Sequence, residues 1–495
     1  MTDQQFVHAV LSHCKGQPNA PALVWRGHTL TYGDLGRAVA RARTTLDALG
    51  AGGYVGVHAA HSPATLALMI ACMSAGRPFV IPAVDLPEGD LHQLLAQTGC
   101  DRHLRAEAGP GATDVEVVSA PVDGRGPTTP PSAVTPLFLL TTSGSTGLPK
   151  VVPVLPGAVS RFAHWAAERF GIGPGVRVLS YAPLNFDLSV LDVWTTLASG
   201  GCVVLVDRDR AASPRYLLEL VTAARPDIVQ AVPMLHQMLV DTARVSGVRL
   251  GSVTRLLYSG YAMPDRVLRQ LPEVFPRARV FSVYGCTEIN DAFVQEIDPS
   301  TYQEGPVPLG DALPGVRWLI CDARGRALRG PGVGELWVAT PFQTPGYVDQ
   351  RLDEGRFAVH PDGPPGLRYF RPRDLVRRHE DGTLTLEGRT DFHVKVRGVQ
   401  VSTEGVEKTI LQLEGVIEAA VVAVPDDRTG NRLQAVVRVG SDSGLDTLAV
   451  RQYCTTRLPP AARPTSVRLT PVPLPRTESG KIDRRVLARA ARGDG

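Results

Sequence analysis

The chain of 495 residues is 43% hydrophobic and carries 52 basic against 49 acidic side chains, a formal net charge of +3. That composition excludes fibrous, disordered and disulfide-scaffold classes, and the near balance of charge supplies no strong field for nucleic acid or a membrane surface. Only five of the basic residues are lysine (Lys15, Lys150, Lys395, Lys408 and Lys481) against 47 arginines, in a sequence rich in the residues of GC-rich codons. Positions that stayed lysine are therefore candidates for roles that a wide planar guanidinium cannot fill.

In chain order, the N-terminus Met1-Thr-Asp-Gln-Gln has neither a basic nor an apolar leader segment, and the longest apolar stretch, residues 64–73, is about half a membrane span. The seven cysteines (Cys14, Cys72, Cys100, Cys202, Cys286, Cys321 and Cys454) form no Cys-x-x-Cys pair, so a zinc site or disulfide framework is not expected, and a cytoplasmic protein is. Residues 63–75 read as an amphipathic helix ended by Gly76 and followed by the strand Phe79-Val-Ile. Residues 105–136, dense in Gly, Pro, Ala and Thr, read as surface loop. The same helix-then-strand order recurs at residues 216–224 before Ile228-Val, and at 264–271 before Arg279-Val-Phe-Ser-Val, indicating a layered α/β core. From Phe392 onward, β-rich segments (Phe392-His-Val-Lys-Val, Ala419-Ala-Val-Val-Ala-Val, Gln434-Ala-Val-Val-Arg-Val) interleave with helical ones, and net charge shifts from −2 before this point to +5 after it. The expectation is an α/β protein: a large multi-layered α/β N-terminal domain, residues 1–391, and a small α+β C-terminal domain, residues 392–495.

The strongest local signal is Leu139-Leu-Thr-Thr-Ser-Gly-Ser-Thr-Gly-Leu-Pro-Lys150, an apolar strand running into a Gly/Ser/Thr loop that ends in a scarce lysine. Glycines let backbone N–H groups converge on an anion, hydroxyls add donors, and the lysine adds a point charge. The spacing is not that of the NTPase P-loop, because two residues rather than four separate Gly144 from Gly147 and Pro149 precedes the lysine. Thr142-Ser-Gly-Ser-Thr-Gly-Leu-Pro-Lys150 resembles the phosphate loop of the adenylate-forming superfamily, which includes acyl-CoA synthetases, luciferases and the adenylation domains of nonribosomal peptide synthetases. Further motifs follow in that family's order: Asn185-Phe-Asp-Leu-Ser-Val190, Tyr284-Gly-Cys-Thr-Glu288, Arg371-Pro-Arg-Asp374, Gly388-Arg-Thr-Asp391, Lys395-Val-Arg-Gly398 and Pro475-Arg-Thr-Glu-Ser-Gly-Lys-Ile-Asp-Arg484.

The resemblance implies that a carboxylate is joined to the α-phosphate of ATP with release of pyrophosphate, and that the acyl group then passes to a thiol or amine. Two anions must meet, so catalysis rests on neutralising and positioning charge. By the same resemblance Lys481 reaches both the substrate carboxylate and the α-phosphate, Thr287 donates to that phosphate, and Glu288 holds Mg²⁺, a hard cation suited to carboxylate oxygens. The resemblance further implies that ATP is bound by Thr142, Ser143, Gly144, Ser145, Thr146, Gly147, Lys150, Gly260 and Tyr261, with Ser282 and Tyr284 at the adenine and Asp374 and Arg389 on the ribose. Asp391 is the hinge about which the small, mobile lobe turns, and Lys395 and Gly398 serve the second step. Departures from the family pattern fall at Val151, Ser282, Cys286, Arg373 and Ser402, none of them a charged catalytic group.

In amino-acid-activating members, an aspartate at the position of Asp187 pairs with the substrate's α-ammonium group. An Asp in an apolar context itself implies a cation partner. The family's pocket positions fall on Asp187, Leu188, Leu191, Gln230, Leu257, Ser259, Val283, Asp291, Ala292 and Lys481. Their aliphatic character implies a small neutral amino acid, alanine first, then glycine or serine, with aromatic and cationic ones disfavoured and a β-amino acid left open. No carrier-protein motif is found after Arg484, so the expected acceptor is an acyl or peptidyl carrier protein in trans, through its phosphopantetheine thiol or the amine of a carrier-bound aminoacyl group, in natural-product (antibiotic) biosynthesis. The competing expectations are an acyl- or aryl-CoA synthetase, which would not need Asp187, and a catalytically silent adenylate-binding scaffold.

Overall fold

The computed structural model describes residues 5–50, 53–108, 115–122, 135–142, 148–396, 399–426, 430–440, 443–477 and 480–492. The chain divides into two compact units, residues 1–317 with 338–370, and residues 318–337 with 371–495.

The first unit is built on two sheets. In the nine-stranded sheet six parallel strands run side by side in the order Arg279–Cys286, Arg255–Ser259, Ile228–Ala231, Arg177–Ser180, Cys202–Leu205, Pro21–Trp25, with antiparallel strands at both margins. Parallel strands covered on both faces read as continuous apolar runs, and Cys202–Leu205 and Ile228–Ala231 are buried at every position. The six-stranded sheet has the order Val115–Pro121, Cys100–Ala108, Tyr54–Val57, Phe79–Val80, Phe138–Thr142, Lys150–Val154. Helices connect the strands: Pro214–Ala224, capped by the Ser213 hydroxyl, leads to Ile228–Ala231, and Asp265–Val274 leads to Arg279–Cys286. Both follow the sequence reading.

Two expectations are corrected. The stretch expected to be an amphipathic helix is the helix Pro63–Ser74, in which every residue from Ala64 to Met73 is buried. Thr65 is the one polar side chain between Ala64 and Met73, so no solvated face is left and the helix lies inside the unit. The segment expected to be loop carries the paired strands Cys100–Ala108 and Val115–Pro121, in register from Arg102 opposite Pro121 to Ala108 opposite Val115. The Gly- and Pro-rich residues beside them, 109–114 and 123–134, lie outside the described residues, and their composition masked a short strand signal in Val115-Glu-Val-Val.

The second unit contains the antiparallel run of the strands Asp374–Arg378 and Leu384–Arg389, with Gly332 to Glu335 paired to the former. The hairpin His393–Val396 and Val399–Ser402 and the sheet Val416–Asp426, Gly430–Val439, Ser466–Thr470 follow. Its core gathers Val406, Ile410, Val421, Leu433, Val437 and Val450. The packing division falls after Phe370 rather than after Asp391, so the strands bearing Asp374 and Arg389, paired with each other, belong to the second unit. The charge shift marked a change in composition, which packing does not follow. No disulfide joins the seven cysteines, and no described helix is long and apolar enough to cross a membrane.

In the first unit Phe138 is fully buried between Phe79 and Trp194, with ring centroids 5.9 and 6.0 Å away. Phe138→Ala would leave a cavity that these rigid rings cannot close, and we expect a loss of about 3–5 kcal/mol, read as a shift in the urea unfolding midpoint.

Candidate active site

The strands Phe138–Thr142 and Lys150–Val154 pair antiparallel with Thr142 opposite Lys150, so the two ends of the anion loop stand level. Ser143, Gly144, Ser145, Thr146 and Gly147 lie outside the described residues. The Lys150 ammonium sits 5.0 Å from the ring centroid of Tyr347, within reach of a cation–π attraction. Tyr347 is fully buried, and its hydroxyl donates to Glu288 Oε1 at 2.5 Å. Burial first, and the Glu288 charge second, push the phenol pKa far up, so Tyr347 remains a donor. One ring thus joins Lys150 to Glu288, two residues 138 positions apart.

Thr287 and Glu288 occupy the turn between the strands Arg279–Cys286 and Asn290–Ile297. The turn is held from outside: Thr344 N donates to the Glu288 carbonyl at 2.9 Å, and the Thr340 hydroxyl to the Ile289 carbonyl at 2.6 Å. A Cβ on Gly285 would lie 2.2 Å from the Asn290 carbonyl oxygen, so this position requires glycine. Tyr284, expected to stack on adenine, packs edge-on against Phe293 at 5.9 Å.

The pocket positions are collected by strand register. Gln230 lies opposite Leu257, and Ser259 opposite Val283, on three adjacent parallel strands. Ser282 lies opposite Tyr258, Gly260 turns the chain with φ +95°, and the Tyr261 hydroxyl accepts from Met234 N at 3.0 Å. Leu257, Val283, Leu191 and Ala292 are buried, while Leu188 and Asp291 are half-buried. Asp187 and Leu188 form the turn that leads into the π-helix Val190–Thr195, where Asp192 is fully buried. The Gln230 amide donates from Nε2 both to the Leu188 carbonyl, 3.1 Å, and to Asp192 Oδ1, 3.2 Å. Asp291 has its carboxyl pushed up to about 8, by desolvation first and then by the Asp187 charge. Asp192 is raised well above the ordinary range by desolvation first and then by Asp291.

In the second unit, Arg389 Nη1 donates to Asp374 Oδ1 at 3.0 Å across adjoining strands. Arg373, which replaces the family's glycine, has φ +67°, the left-handed conformation that glycine adopts without cost. Lys481 is exposed on a tight turn in which Thr477 N donates to the Lys481 carbonyl at 2.8 Å and Gly480 has φ +76°. Arg476 anchors that turn, donating to the Gly480 carbonyl and to Glu418, a buried carboxylate that also receives Leu474 N at 3.1 Å and Arg438 at 3.3 Å. Asp391 lies in the short 3₁₀ turn Thr390–Phe392 and Lys395 opposite Gln400 in the hairpin, while Gly398 lies outside the described residues. Beside Asp391, the Phe392 ring carries the Arg484 guanidinium at 4.6 Å.

Tyr347, Asp192 and Glu418 escaped the sequence reading. Asp192 left a signal, a lone carboxylate inside Val190-Leu-Asp-Val-Trp; Tyr347 and Glu418 act through partners distant in sequence and left none. Among the described residues no His/Cys/Asp/Glu cluster could hold a metal by itself.

Two measurements follow from this geometry. Glu418→Ala strands two guanidinium groups and one backbone N–H, and we expect a loss of about 2–4 kcal/mol on chemical denaturation. Asp291 in the folded chain holds a proton that the unfolded chain has lost, so stability falls as pH rises from the ordinary carboxyl range, near 3.8, towards about 8. Urea titrations across that range should show this slope flattened in Asp291→Asn.

Residues 10–348 match the AMP-binding enzyme family and residues 405–481 the AMP-binding enzyme C-terminal domain. The chain is 27% identical to a D-alanine–D-alanyl carrier protein ligase of Bacillus licheniformis, over 98% of this chain and 99% of that one. It is 33% identical to an L-proline–[L-prolyl-carrier protein] ligase of Pseudomonas fluorescens, over 72% and 69% of the two chains. Its fold is that of ATP-bound MatB from Rhodopseudomonas palustris, with a TM-score of 0.82, 20% identity and 99% of each chain covered. The ordered motifs, the strand-borne pocket and these matches lead to one conclusion: the chain belongs to the AMP-binding enzyme family of adenylate-forming enzymes.

Proposed function

We propose that this enzyme activates a small amino acid with ATP to the aminoacyl adenylate and passes it to a carrier protein. The observation that carries the amino acid is Asp187, a carboxylate among aliphatic pocket positions whose charge is felt by Asp291, where an ammonium group offsets that charge. A fatty or aryl acid brings no such group. The relatives named for D-alanine and L-proline carrier protein ligation support the same class of substrate and acceptor. Alanine, with glycine and serine next, is the side-chain size that Leu191, Leu257 and Val283 favour.

In the first step a carboxylate oxygen of the amino acid attacks the α-phosphorus, and the bond from that phosphorus to pyrophosphate breaks. We assign Lys481 to neutralising both reacting groups, since a compact ammonium on a thin stem enters where a guanidinium fork does not. Thr287 donates to the α-phosphate. Thr142, Lys150 and the loop 143–147 hold the phosphates, Tyr284 with Gly260, Tyr261 and Ser282 borders the adenine, and Asp374, oriented by Arg389, takes the ribose hydroxyls. Glu288 fits Mg²⁺ as a hard oxygen donor, with the Tyr347 hydroxyl fixing its carboxylate. In the second step the adenylate is attacked by the acceptor, a phosphopantetheine thiol or a carrier-bound amine, with Asp391 as hinge and Lys395 and Gly398 beside the incoming group.

Pyrophosphate exchange over a panel of amino, fatty and aryl acids tests this reading. Exchange should depend on a small amino acid, fall at least about 100-fold in Lys481→Ala, fall nearly as far in Lys481→Arg, and be lost in Asp187→Ala. Exchange with fatty or aryl acids alone would replace it with an acyl- or aryl-CoA synthetase, and exchange with no acid would replace it with a silent adenylate binder.

A further inference from the structure

The turn bearing the exposed Lys481 is anchored from two sides. Arg476 ties its incoming strand to Glu418. Three residues beyond the lysine, Arg484 ties its outgoing end: Nε donates to Glu407 Oε1 at 3.0 Å and Nη2 to Glu407 Oε2. Glu407 is buried on the helix Thr403–Leu411, and its Oε1 also receives Val421 N at 2.7 Å, so the fork is fastened to the core of the second unit. The edge of the guanidinium is satisfied by this one carboxylate. Its face is taken up separately, 4.6 Å from the centroid of the Phe392 ring. A second partner on the face adds orientation, since the charge is already balanced. The same ring lies 5.9 Å from the guanidinium of Arg389, whose Nη1 holds Asp374 Oδ1. Phe392 is itself pinned, because its carbonyl receives the Thr403 hydroxyl at 3.1 Å, at the start of the helix that bears Glu407. Two guanidinium groups thus meet at one ring inside the second unit, one serving Asp374 and one following Lys481.

We propose that Phe392 and Arg484 are positioning residues for adenylate formation: their stack braces the turn bearing Lys481 against the strand end bearing Arg389, so that the ammonium keeps a fixed distance from the Asp374–Arg389 pair. The inference rests on the roles assigned above to Lys481 and Asp374. In ATP the ribose and the α-phosphate are one covalent unit, so a lysine meant for that phosphate has to be placed relative to the group that holds the ribose. Neither Phe392 nor Arg484 touches a reacting atom. Their effect is geometric, and a misplacement of about 1 Å is enough to cost about 100-fold in rate. An aromatic face suits the task, because it holds the guanidinium without adding a carboxylate that would compete with substrate for the lysine.

Because the chain has only five lysines, cleavage by a lysine-specific protease reads the order of this turn directly. In the full chain, Phe392→Leu should speed cleavage after Lys481 by about fivefold or more, while cleavage after Lys408, exposed on the helix Thr403–Leu411, stays within about twofold. In pyrophosphate exchange the same variant should lower kcat by about tenfold with KM for ATP within about twofold, and Phe392→Tyr, which keeps the aromatic face, should restore both readouts. Adding Phe392→Leu to Arg484→Gln should lower kcat no further, since both substitutions break the same stack. Unchanged cleavage after Lys481, equal acceleration after Lys408, a kcat loss that Phe392→Tyr shares, or losses that multiply in the double variant would each overturn the brace. Exchange with no acid in the unsubstituted chain would overturn the activation reading instead, and the cleavage ratio would still decide the brace.

Discussion

The hydrogen-bonded register of three parallel strands decides what the site can contain. Ile228–Ala231, Arg255–Ser259 and Arg279–Cys286 lie side by side with Gln230 level with Leu257 and Ser259 level with Val283. In a parallel sheet the spacing between strands is fixed by the ladder, so residues near the strand ends form one wall without any direct bond between their side chains. A one-residue slip would turn every one of them to the other face. The turn after the third strand then delivers Thr287 and Glu288, and the returning strand delivers Asp291.

Onto that rigid wall the chain places buried carboxyl groups, and desolvation holds Asp192 and Asp291 towards their protonated form. Gln230 is the connector. Its amide holds the Leu188 carbonyl, next to Asp187, and the Asp192 carboxylate at once, locking the π-helical turn to the sheet. A π-helical stretch is a costly local geometry that recurs at functional sites, and here it carries a fully buried acid.

The supporting residues work by immobilising the groups that act. Tyr347 has one buried ring under Lys150 and one hydroxyl on Glu288, so a cation and a carboxylate separated in sequence are fixed by a single side chain. Glu418 performs the same service for the turn bearing Lys481 by gathering Arg476, Arg438 and a backbone N–H. The lysine itself stays exposed, while the rigidity of its turn comes from the buried acid.

The sequence alone determined the class of the enzyme and most of its site. The motifs name Lys481, Glu288, Asp374 and Asp187 because each uses a residue type whose chemistry is needed and is contiguous with its neighbours in the chain. Helix-to-strand alternation likewise revealed the layered core at residues 216–231 and 264–286. Tertiary structure decided the rest. The strands at 100–121 hid behind flanking Gly and Pro, and the packing division that puts Asp374 and Arg389 in the second unit follows contacts that charge counting cannot sense. Tyr347, Glu418 and the charge coupling among Asp187, Asp192 and Asp291 depend on contacts between distant segments. Local sequence records what a residue can do, but the strength of an electrostatic interaction depends on distance and burial, which only the folded chain sets.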